Sequence, residues 1–490
     1  MSPLRCSRRD LFALTGMAAG SVFTARGLPR LDALQSAHKH TKKRSHYRSR
    51  PDLEPPVLEV TGGADAGTGE ADTSYVFLSA GGPLIADIHG EPVWYRPAPH
   101  YSTNLKIQQF QGQSVLTWWQ GKSAPYGVGA SGEYVLLDAR YQEVARVKAA
   151  NGLAADLHEF TIGPDGTGYF TSYQPITADL SPVGGPTSGK MLEAWIQGVD
   201  VATGKLVFEW RSSDHIALTE SYRAYKSTAK WPYTPVHLNS IAVLPDGNLL
   251  VSARHTWTIY KIDRATGDIL WRLGGKKSDF TLGPGVRFAW QHDAQWHNGE
   301  VLTIFDNESP PAEASQSRGL VLQVTEPKKL VTLRHAYYYP GEELLVGAQG
   351  SVQILPNGDV FMGWGLQPYF TQYRHDGRAV LKGHFKDSSS YRALRLPWTG
   401  TPAERPAVAV ERHGGSGLRV YASWNGATEV AHWSVAGGHS RDSLSPLGKA
   451  ARSGFETAID VDAPTHVRYV AARAHDAAGR ILATSPARRV

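Results

Sequence analysis

The sequence is poor in several residue types, and each scarcity excludes a class of protein. Its 490 residues contain one cysteine, Cys6, and four methionines. One cysteine cannot form an intramolecular disulfide, and because Cys6 lies near the N-terminus, the rest of the chain has no thiol chemistry. No apolar run is long enough for a permanent transmembrane helix. No glycine loop followed by Lys-Ser or Lys-Thr is present, which argues against P-loop enzymes that use a nucleotide.

The basic excess of the chain does not indicate nucleic-acid binding. The formal net charge is +6, but residues 1–50 hold 11 of the 51 basic residues and 2 of the 45 acidic ones. The remainder of the chain is therefore close to neutral. The basic run from His38 to Arg50 predicts a solvated, disordered linker, with a polyanion-binding arm as the alternative.

The N-terminus has the features of an export signal. Arg8 and Arg9 precede an uncharged apolar run from Leu11 to Phe23, which is too short for a membrane anchor. Paired arginines in this position predict a twin-arginine signal peptide over residues 1–30, followed by a basic and Gly-rich linker over residues 31–70. We therefore expect a secreted or extracytoplasmic protein, and a short buried helix with a basic cap is the alternative.

A repeating β pattern fills the middle of the chain. Fifty Gly, thirty Pro and fourteen Trp favour short strands joined by tight turns. The clearest unit, Leu244 to Gly275, predicts strands over 248–253, 257–262 and 269–273, and the segment around His237 supplies a strand before them. Weaker copies of this four-stranded antiparallel meander predict an all-β six-bladed propeller over residues 71–397. An irregular array of β-sandwiches is the alternative.

The repeat stops near Pro397, and a second all-β unit is predicted over residues 402–490. Alternating strands and turns at Asn425-Gly426 and Ala478-Gly479 resemble a fibronectin type III sandwich. Such modules more often space, dock or bind surfaces than catalyse, so this unit is the candidate for contact with an envelope or surface partner.

Three histidines occupy corresponding places in three consecutive repeats. When the repeats are aligned on Gly turns, His158, His237 and His292 fall where the chain enters the inner strand. Inner strands line the channel of a propeller, so these imidazoles are predicted to converge near one mouth, with Asn239 and Arg254 nearby. Structural hydrogen-bond anchors are the alternative role for such histidines.

The composition of this cluster indicates anion chemistry. Three imidazoles can hold a metal ion, but an arginine beside them repels a cation and stabilises an anion. Arginine, amide and imidazole donors around a nucleophilic imidazole suit phosphoryl or sulfuryl transfer. We therefore predict no metal and no cofactor.

The motifs "LHEF", "HLNSI", "SARH" and "QHDAQ", with "LPDG…TGDILWRLGG" between them, resemble the bacterial arylsulfotransferases, and more closely the branch found in secreted actinobacterial and fungal proteins. The resemblance implies a six-bladed propeller that moves a sulfuryl group from a phenolic sulfate ester to a phenol, without a nucleotide, through a sulfo-histidine. By motif, His292 matches the nucleophile. The positions that match the anion-binding and acid/base residues are His158, His237, Asn239 and Arg254.

Two other functions stay open at the level of sequence. One is a non-catalytic propeller and sandwich pair that binds an envelope glycan or protein. The other is a metal- or quinone-dependent oxidoreductase or lyase. For the leading hypothesis the partners are a small aryl sulfate donor and a phenolic acceptor, with no nucleic acid.

Overall fold

The computed structural model describes residues 46–63, 74–124, 127–412 and 417–490. Over these residues the chain consists of short β-strands, loops and single-turn 3₁₀ helices, with no α-helix. None of the helices in this described part is long and apolar enough to cross a bilayer. The predicted signal peptide, residues 1–30, lies outside the described residues, as does most of the predicted linker. The all-β class predicted from the sequence is confirmed.

Strands follow one another along the whole described chain. Up to residue 211 they are β1 (Leu58–Gly62), β2 (Ser74–Ser79), β3 (Pro83–Ala86), β4 (Pro92–Tyr95), β5 (Tyr101–Phe110), β6 (Gln113–Lys122), β7 (Ser131–Leu137), β8 (Glu143–Val147), β9 (Ala155–Ile162), β10 (Thr167–Ala178), β11 (Gly189–Asp200) and β12 (Leu206–Arg211).

The strands that follow are β13 (Leu238–Val243), β14 (Leu249–Ala253), β15 (Thr258–Ile262), β16 (Ile269–Gly274), β17 (Thr281–Leu282), β18 (His292–His297), β19 (Val301–Asp306), β20 (Arg318–Thr325), β21 (Leu330–Tyr338), β22 (Ser351–Ile354), β23 (Val360–Gly363), β24 (Tyr369–Tyr373), β25 (Ala379–Phe385) and β26 (Leu394–Pro397).

The C-terminal part contains β27 (Ala407–Arg412), β28 (Gly417–Ser423), β29 (His432–Ser440), β30 (Ser443–Ala451), β31 (Glu456–Asp462), β32 (Tyr469–His475), β33 (Ile481–Thr484) and β34 (Arg488–Arg489). The 3₁₀ helices span Ser181–Val183, Ser212–Asp214, Leu218–Glu220, Arg254–Thr256 and Glu326–Lys328.

The meander predicted around residues 237–275 is present. Strands β13, β14, β15 and β16 pair in that order, and every pair is antiparallel. The β13–β14 turn contains Gly247 at a φ of +83°, a conformation that an L-residue with a Cβ rarely adopts. Local turn chemistry and alternating apolar residues therefore define this sheet from sequence alone.

The other sheets before residue 400 have the same antiparallel plan. Strands β5 to β8 and β9 to β12 form two meanders that are joined by one residue pair, Gly132 with Ala155. Strands β18 to β21 form the next antiparallel sheet, with β17 at its edge in a short parallel pairing with β21, and β22 to β25 form the one after it. In the remaining sheet the order is β26-β2-β3-β4, so the last strand before residue 400 pairs with β2.

Successive sheets share hydrophobic cores. The core between β9–β12 and β13–β16 contains Ile196 and Val251, and the core between β22–β25 and β2–β4 contains Phe361 and Leu84. Six strands, one from each successive meander, lie side by side in the order β26, β5, β9, β13, β18 and β22. Strand β22 also contacts β26. Residues at the start of these strands are thereby brought close to one another.

Residues 46–63, which fall within the predicted linker over residues 31–70, contact strands elsewhere in the chain. Strand β1 pairs with β25 along its whole length and forms the edge strand of that sheet. Before it, Tyr47 packs on Phe455 with ring centroids 4.4 Å apart, and the backbone N–H of Ser49 donates to Glu456 at 2.6 Å. Residues 46–63 are therefore ordered parts of the fold.

The C-terminal strands form two antiparallel sheets. Strands β27, β28 and β31 make one sheet, and β30, β29, β32 and β33 make the other, with β34 also on β32. Both sheets contribute to one core, for example through Val420 and Trp433. This unit contacts the preceding sheets, since Asn425 exchanges hydrogen bonds with the backbone of Tyr95 at 2.9 and 3.0 Å.

Candidate active site

The structure brings together the three histidines that the sequence singles out. His158 lies on β9, His237 directly precedes β13, and His292 begins β18, so the side-by-side packing of these strands places their rings in one cluster. Nε2 of His237 lies 2.9 Å from Nε2 of His158, and the rings of His237 and His292 have centroids 6.4 Å apart. All three side chains are buried.

The hydrogen bonds of His292 determine where its lone pair lies. Its Nδ1 is 2.7 Å from Oδ1 of Asn307. The amide orientation of Asn307 follows from its Nδ2, which donates to the backbone carbonyls of Val346 and Gln349 at 3.1 and 3.0 Å. Since Oδ1 can only accept, Nδ1 of His292 carries the proton. The lone pair is therefore on Nε2, where it accepts the backbone N–H of Gln349 at 3.2 Å.

His292 is held in the neutral form. Burial lowers its pKa well below the usual value of 6.5, and the positive charge of Arg254 lowers it further. Neutral imidazole is the nucleophilic form, because protonation would remove the lone pair. The ring thus presents an unprotonated Nε2 at neutral pH.

Asp156, His158 and His237 form a hydrogen-bonded chain. Nδ1 of His158 contacts Oδ1 of Asp156, whose other oxygen accepts the backbone N–H of Ala130 at 2.8 Å. The carboxylate only accepts, so Nδ1 of His158 carries a proton. The pKa of His237 lies well below its usual value, mainly because the ring is buried and next because His158 is close to it. The ring of His237 is therefore neutral. A hydrogen bond between the two Nε2 atoms requires a proton on one of them.

Arg254 is a buried cation. Its side chain lies next to Trp290, with the guanidinium carbon 5.1 Å from the ring centroid, and Nη2 donates to the carbonyls of Ser309 and Gly347. Its Nε has no hydrogen-bond partner, and no carboxylate of the described chain forms an ion pair with it. Burial lowers the pKa of Arg254 to about 9. An anion at this place would compensate the charge.

Asn239 contacts the backbone beside His292 and not the imidazole itself. Its Nδ2 donates to the carbonyl oxygen of Gln291 at 2.6 Å, and its Oδ1 has no partner. This amide therefore fixes the chain that enters β18 and leaves one acceptor unsatisfied.

Five further residues belong to the cluster but were missed from sequence. Two of them orient predicted residues, Asp156 toward His158 and Asn307 toward His292. The spacing Asp-x-His was an available signal for Asp156, because residues two apart on a strand share a face. The other three are His255, Tyr391 and Arg392.

His255 and Tyr391 each present one unpartnered polar atom. Nδ1 of His255 donates to the carbonyl of Thr234 at 2.7 Å, and its Nε2 has no partner. The hydroxyl of Tyr391 has none either, and its ring lies 5.8 Å from that of His158 and 6.3 Å from that of His292. Burial raises the pKa of Tyr391 well above 10, so the hydroxyl remains a donor.

Within the cluster, the charge of Arg392 is compensated by two carboxylates. Its guanidinium pairs with Glu159 at 2.9 Å and with Asp293 at 3.0 Å, and it donates to Asn104 at 3.1 Å. These two carboxylates neutralise Arg392, in contrast to Arg254. The cluster therefore combines a paired arginine with an arginine that lacks an acidic partner in the described chain.

The backbone around His292 is strained. Trp290 and Asp293 have φ values of +57° and +53°, and Gln349, which contacts Nε2 of His292, has +67°. Residues with a Cβ adopt such values rarely and at a cost of about 1–3 kcal/mol each. Strain of this kind persists where the surrounding contacts hold it in place, and it concentrates at functional sites.

The arrangement is suited to an anion with oxygen atoms. The unpartnered atoms include the donors Arg254 Nε, Trp290 Nε1 and Tyr391 Oη, and His292 is a neutral imidazole whose unprotonated Nε2 accepts the backbone N–H of Gln349. Across the described ranges, no group of three or more His, Cys, Asp or Glu side chains is arranged to hold a metal ion. The geometry fits nucleophilic attack by nitrogen on the central atom of an anionic group.

Several solved structures resemble this chain weakly. A protein of unknown function from Bacteroides caccae has 13% identity and a TM-score of 0.41, covering 66% of this chain and 99% of its own. Virginiamycin B lyase from Staphylococcus aureus has 12% identity and a TM-score of 0.33, covering 74% and 94%. These scores are too low to carry an argument. No curated protein matches the sequence.

A family model gives a more specific result. The model described as arylsulfotransferase (ASST) matches residues 106–386, which is more than half of the chain. The match includes His158, His237, Asn239, Arg254 and His292. The chain therefore belongs to the arylsulfotransferase family.

Proposed function

We propose that this protein transfers a sulfuryl group from an aryl sulfate ester to a phenol through a covalent intermediate on Nε2 of His292. Family membership supports arylsulfotransferase activity with these two small-molecule substrates. The observation that carries the mechanism is the presence of two groups in one cluster. One is the neutral imidazole of His292, whose lone pair is on Nε2, and the other is the buried Arg254, which lacks an acidic partner in the described chain.

In the first half-reaction the Nε2 lone pair of His292 gives up its hydrogen bond with the backbone N–H of Gln349 and attacks the sulfur of the donor. The N–S bond forms and the S–O bond to the aryl group breaks, so the phenolate leaves with the bonding pair. The ring gains positive charge as the bond forms. The hydrogen bond from Nδ1–H of His292 to Oδ1 of Asn307 then becomes charge-assisted. It is therefore stronger in the transition state than in the ground state.

The chain of Asp156, His158 and His237 is proposed to act as a base. In the first half-reaction the phenolate leaves as the anion and takes its proton from solvent, because removing the proton between two neutral rings would leave an imidazolate. In the second half-reaction an acceptor phenol gives its proton to this pair of imidazoles, with Asp156 orienting His158, while the phenol oxygen attacks the sulfur; the pair then releases that proton to solvent. The N–S bond breaks and His292 recovers its lone pair.

Arg254 and Tyr391 are proposed to bind the sulfuryl oxygens. The unpartnered Nε–H of Arg254 and the hydroxyl of Tyr391 are donors that the protein leaves unsatisfied. Preorganised donors in a buried site stabilise charge on the transferring group more than water does. Asn239 is proposed to act mainly by fixing the backbone of Gln291 beside the nucleophile.

The finer architecture and location are also part of this proposal. We propose a six-bladed propeller over residues 71–397 and a fibronectin type III-like sandwich over 402–490, in the branch found in secreted actinobacterial and fungal proteins. Support comes from the shared cores of successive sheets and from the pairing of β26 with β2.

We propose export by the twin-arginine route, and replacing Arg8 and Arg9 with lysine should retain precursor in the cytoplasm. Unchanged secretion of that variant would contradict the route.

Turnover with defined substrates tests the function. Full-length protein is mixed with 4-nitrophenyl sulfate and phenol, and release of 4-nitrophenol is compared with formation of phenyl sulfate. We expect equal amounts of the two products and no turnover in His292→Ala. Binding of aryl sulfate without product from either substrate would favour the alternative of a non-catalytic binding protein.

A further inference from the structure

A cavity lies at strand β5, which packs against β9, the strand that carries His158, and its described lining residues include none of the clustered histidines. It has a volume of about 420 Å³ and is lined in part by the start of β5 and the end of β6. Tyr101 forms part of its wall, and its side chain interacts with that of Gln349. The backbone N–H of Gln349 in turn contacts Nε2 of His292 at 3.2 Å. One residue therefore connects the cavity wall to the proposed nucleophile.

The wall of this cavity combines an aromatic surface with positive charge. Tyr101 and Leu366 supply carbon surface, while His100 and Lys122 are basic. The described lining residues include no Asp or Glu. The hydroxyl of Ser102, on the same wall, is buried and has no hydrogen-bond partner. These features fit a ligand with a flat ring, a polar edge and a negative charge.

The volume agrees with such a ligand. Small-molecule sites occupy roughly 300–1,000 Å³ and combine apolar lining with a few placed polar groups. A cavity of this size accepts a phenol with one substituent. An inorganic anion alone would leave the surfaces of Tyr101 and Leu366 without contact.

We propose that this cavity binds the acceptor, and that the acceptor is a phenol with an anionic substituent such as a carboxylate. The proposal rests on the proposed sulfuryl transfer and adds the acceptor class to it. The carboxylate would contact Lys122 and His100, the ring would lie against Tyr101, and the phenolic oxygen would point past Gln349 toward His292. Lys122 is then a specificity residue and takes no part in bond making.

The test compares two acceptors that differ in charge. With 4-nitrophenyl sulfate as donor, kcat/KM is measured for 4-hydroxybenzoate and for its neutral analogue 4-hydroxybenzamide. Lys122→Met should lower the ratio of kcat/KM for 4-hydroxybenzoate to kcat/KM for 4-hydroxybenzamide by about tenfold. This is the effect of losing one charge-assisted hydrogen bond. Lys449→Met, the same substitution at an exposed lysine on β30, should leave the ratio unchanged. Equal ratios in both variants would overturn the proposal.

Calorimetry separates this proposal from the transfer reaction. In the absence of donor, 4-hydroxybenzoate is titrated into the full-length protein and into both lysine variants. Binding weakened about tenfold only in Lys122→Met supports the cavity even if no acceptor is ever sulfated. Equal affinity for all three proteins would refute it even if sulfuryl transfer occurs.

Discussion

Asn307 offers the most informative perturbation of the nucleophile. Its Oδ1 accepts the Nδ1–H of His292 at 2.7 Å, and its amide nitrogen is fixed by two backbone carbonyls. Asn307→Ala removes that acceptor and leaves a buried N–H unpaired, which costs about 1–3 kcal/mol for a neutral ring. Because the ring becomes positive in the transition state, we expect about 2–3 kcal/mol, or roughly a 30- to 150-fold loss in rate.

The assay is a single turnover of 4-nitrophenyl sulfate followed by release of 4-nitrophenol. Asn307→Asp gives a second, qualitative readout, because a carboxylate beside Nδ1 raises the pKa of His292 and protonates Nε2 at low pH. Its rate should recover as pH rises, whereas that of the wild type should not. Asn248→Ala, at the β13–β14 turn, is the matched control. Wild-type rate in Asn307→Ala, or pH profiles that coincide, would refute the assigned tautomer.

Three further predictions follow from the site and the fold. Arg254→Ala should cost about 3 kcal/mol of transition-state stabilisation in kcat/KM, with partial recovery in Arg254→Lys, and an unchanged value would assign Arg254 a structural role. Burial lowers the pKa of His237, His255 and His292, so the unfolded chain binds more protons below pH 6.5. The free energy of unfolding should then fall with acidification by about 1.4 kcal/mol per pH unit for each histidine, and denaturant titrations at pH 7 and pH 5 that agree would contradict this. Truncation after Thr399 should lower the melting temperature, because Phe455 belongs to a core shared with β22–β25, and an unchanged temperature would show that the C-terminal unit is dispensable.

The sequence predicted the local β structure well. The 245–247 turn and the alternating residues around it are enough to define β14, β15 and β16 within two residues. Such features depend on neighbours in the chain, so a single sequence contains them. Strands β1 and β26 were missed because their partners are far away in sequence, and only long-range pairing makes them strands.

The same distinction applies to the site. His158, His237 and His292 were found because they recur at a fixed place in a repeat. Tyr391 lies three residues before β26, so no repeat marked it, although β26 contacts β5 and β22 and the tyrosine reaches the cluster. Asn307 follows β19 outside the aligned Gly turns, so the repeat did not mark it, and its neighbour Asp306 pairs with Arg318 at 2.9 Å.

The most direct test of the account is the site of covalent modification. Full-length protein is mixed with 4-nitrophenyl sulfate without acceptor, quenched, digested and analysed by mass spectrometry under conditions that preserve N–S bonds. We predict one added sulfuryl group, located on His292 and removed when phenol is supplied, with none in His292→Ala. A sulfuryl group on His158 or His237, or phenol sulfation without any modified protein, would contradict the assignment of His292 as nucleophile.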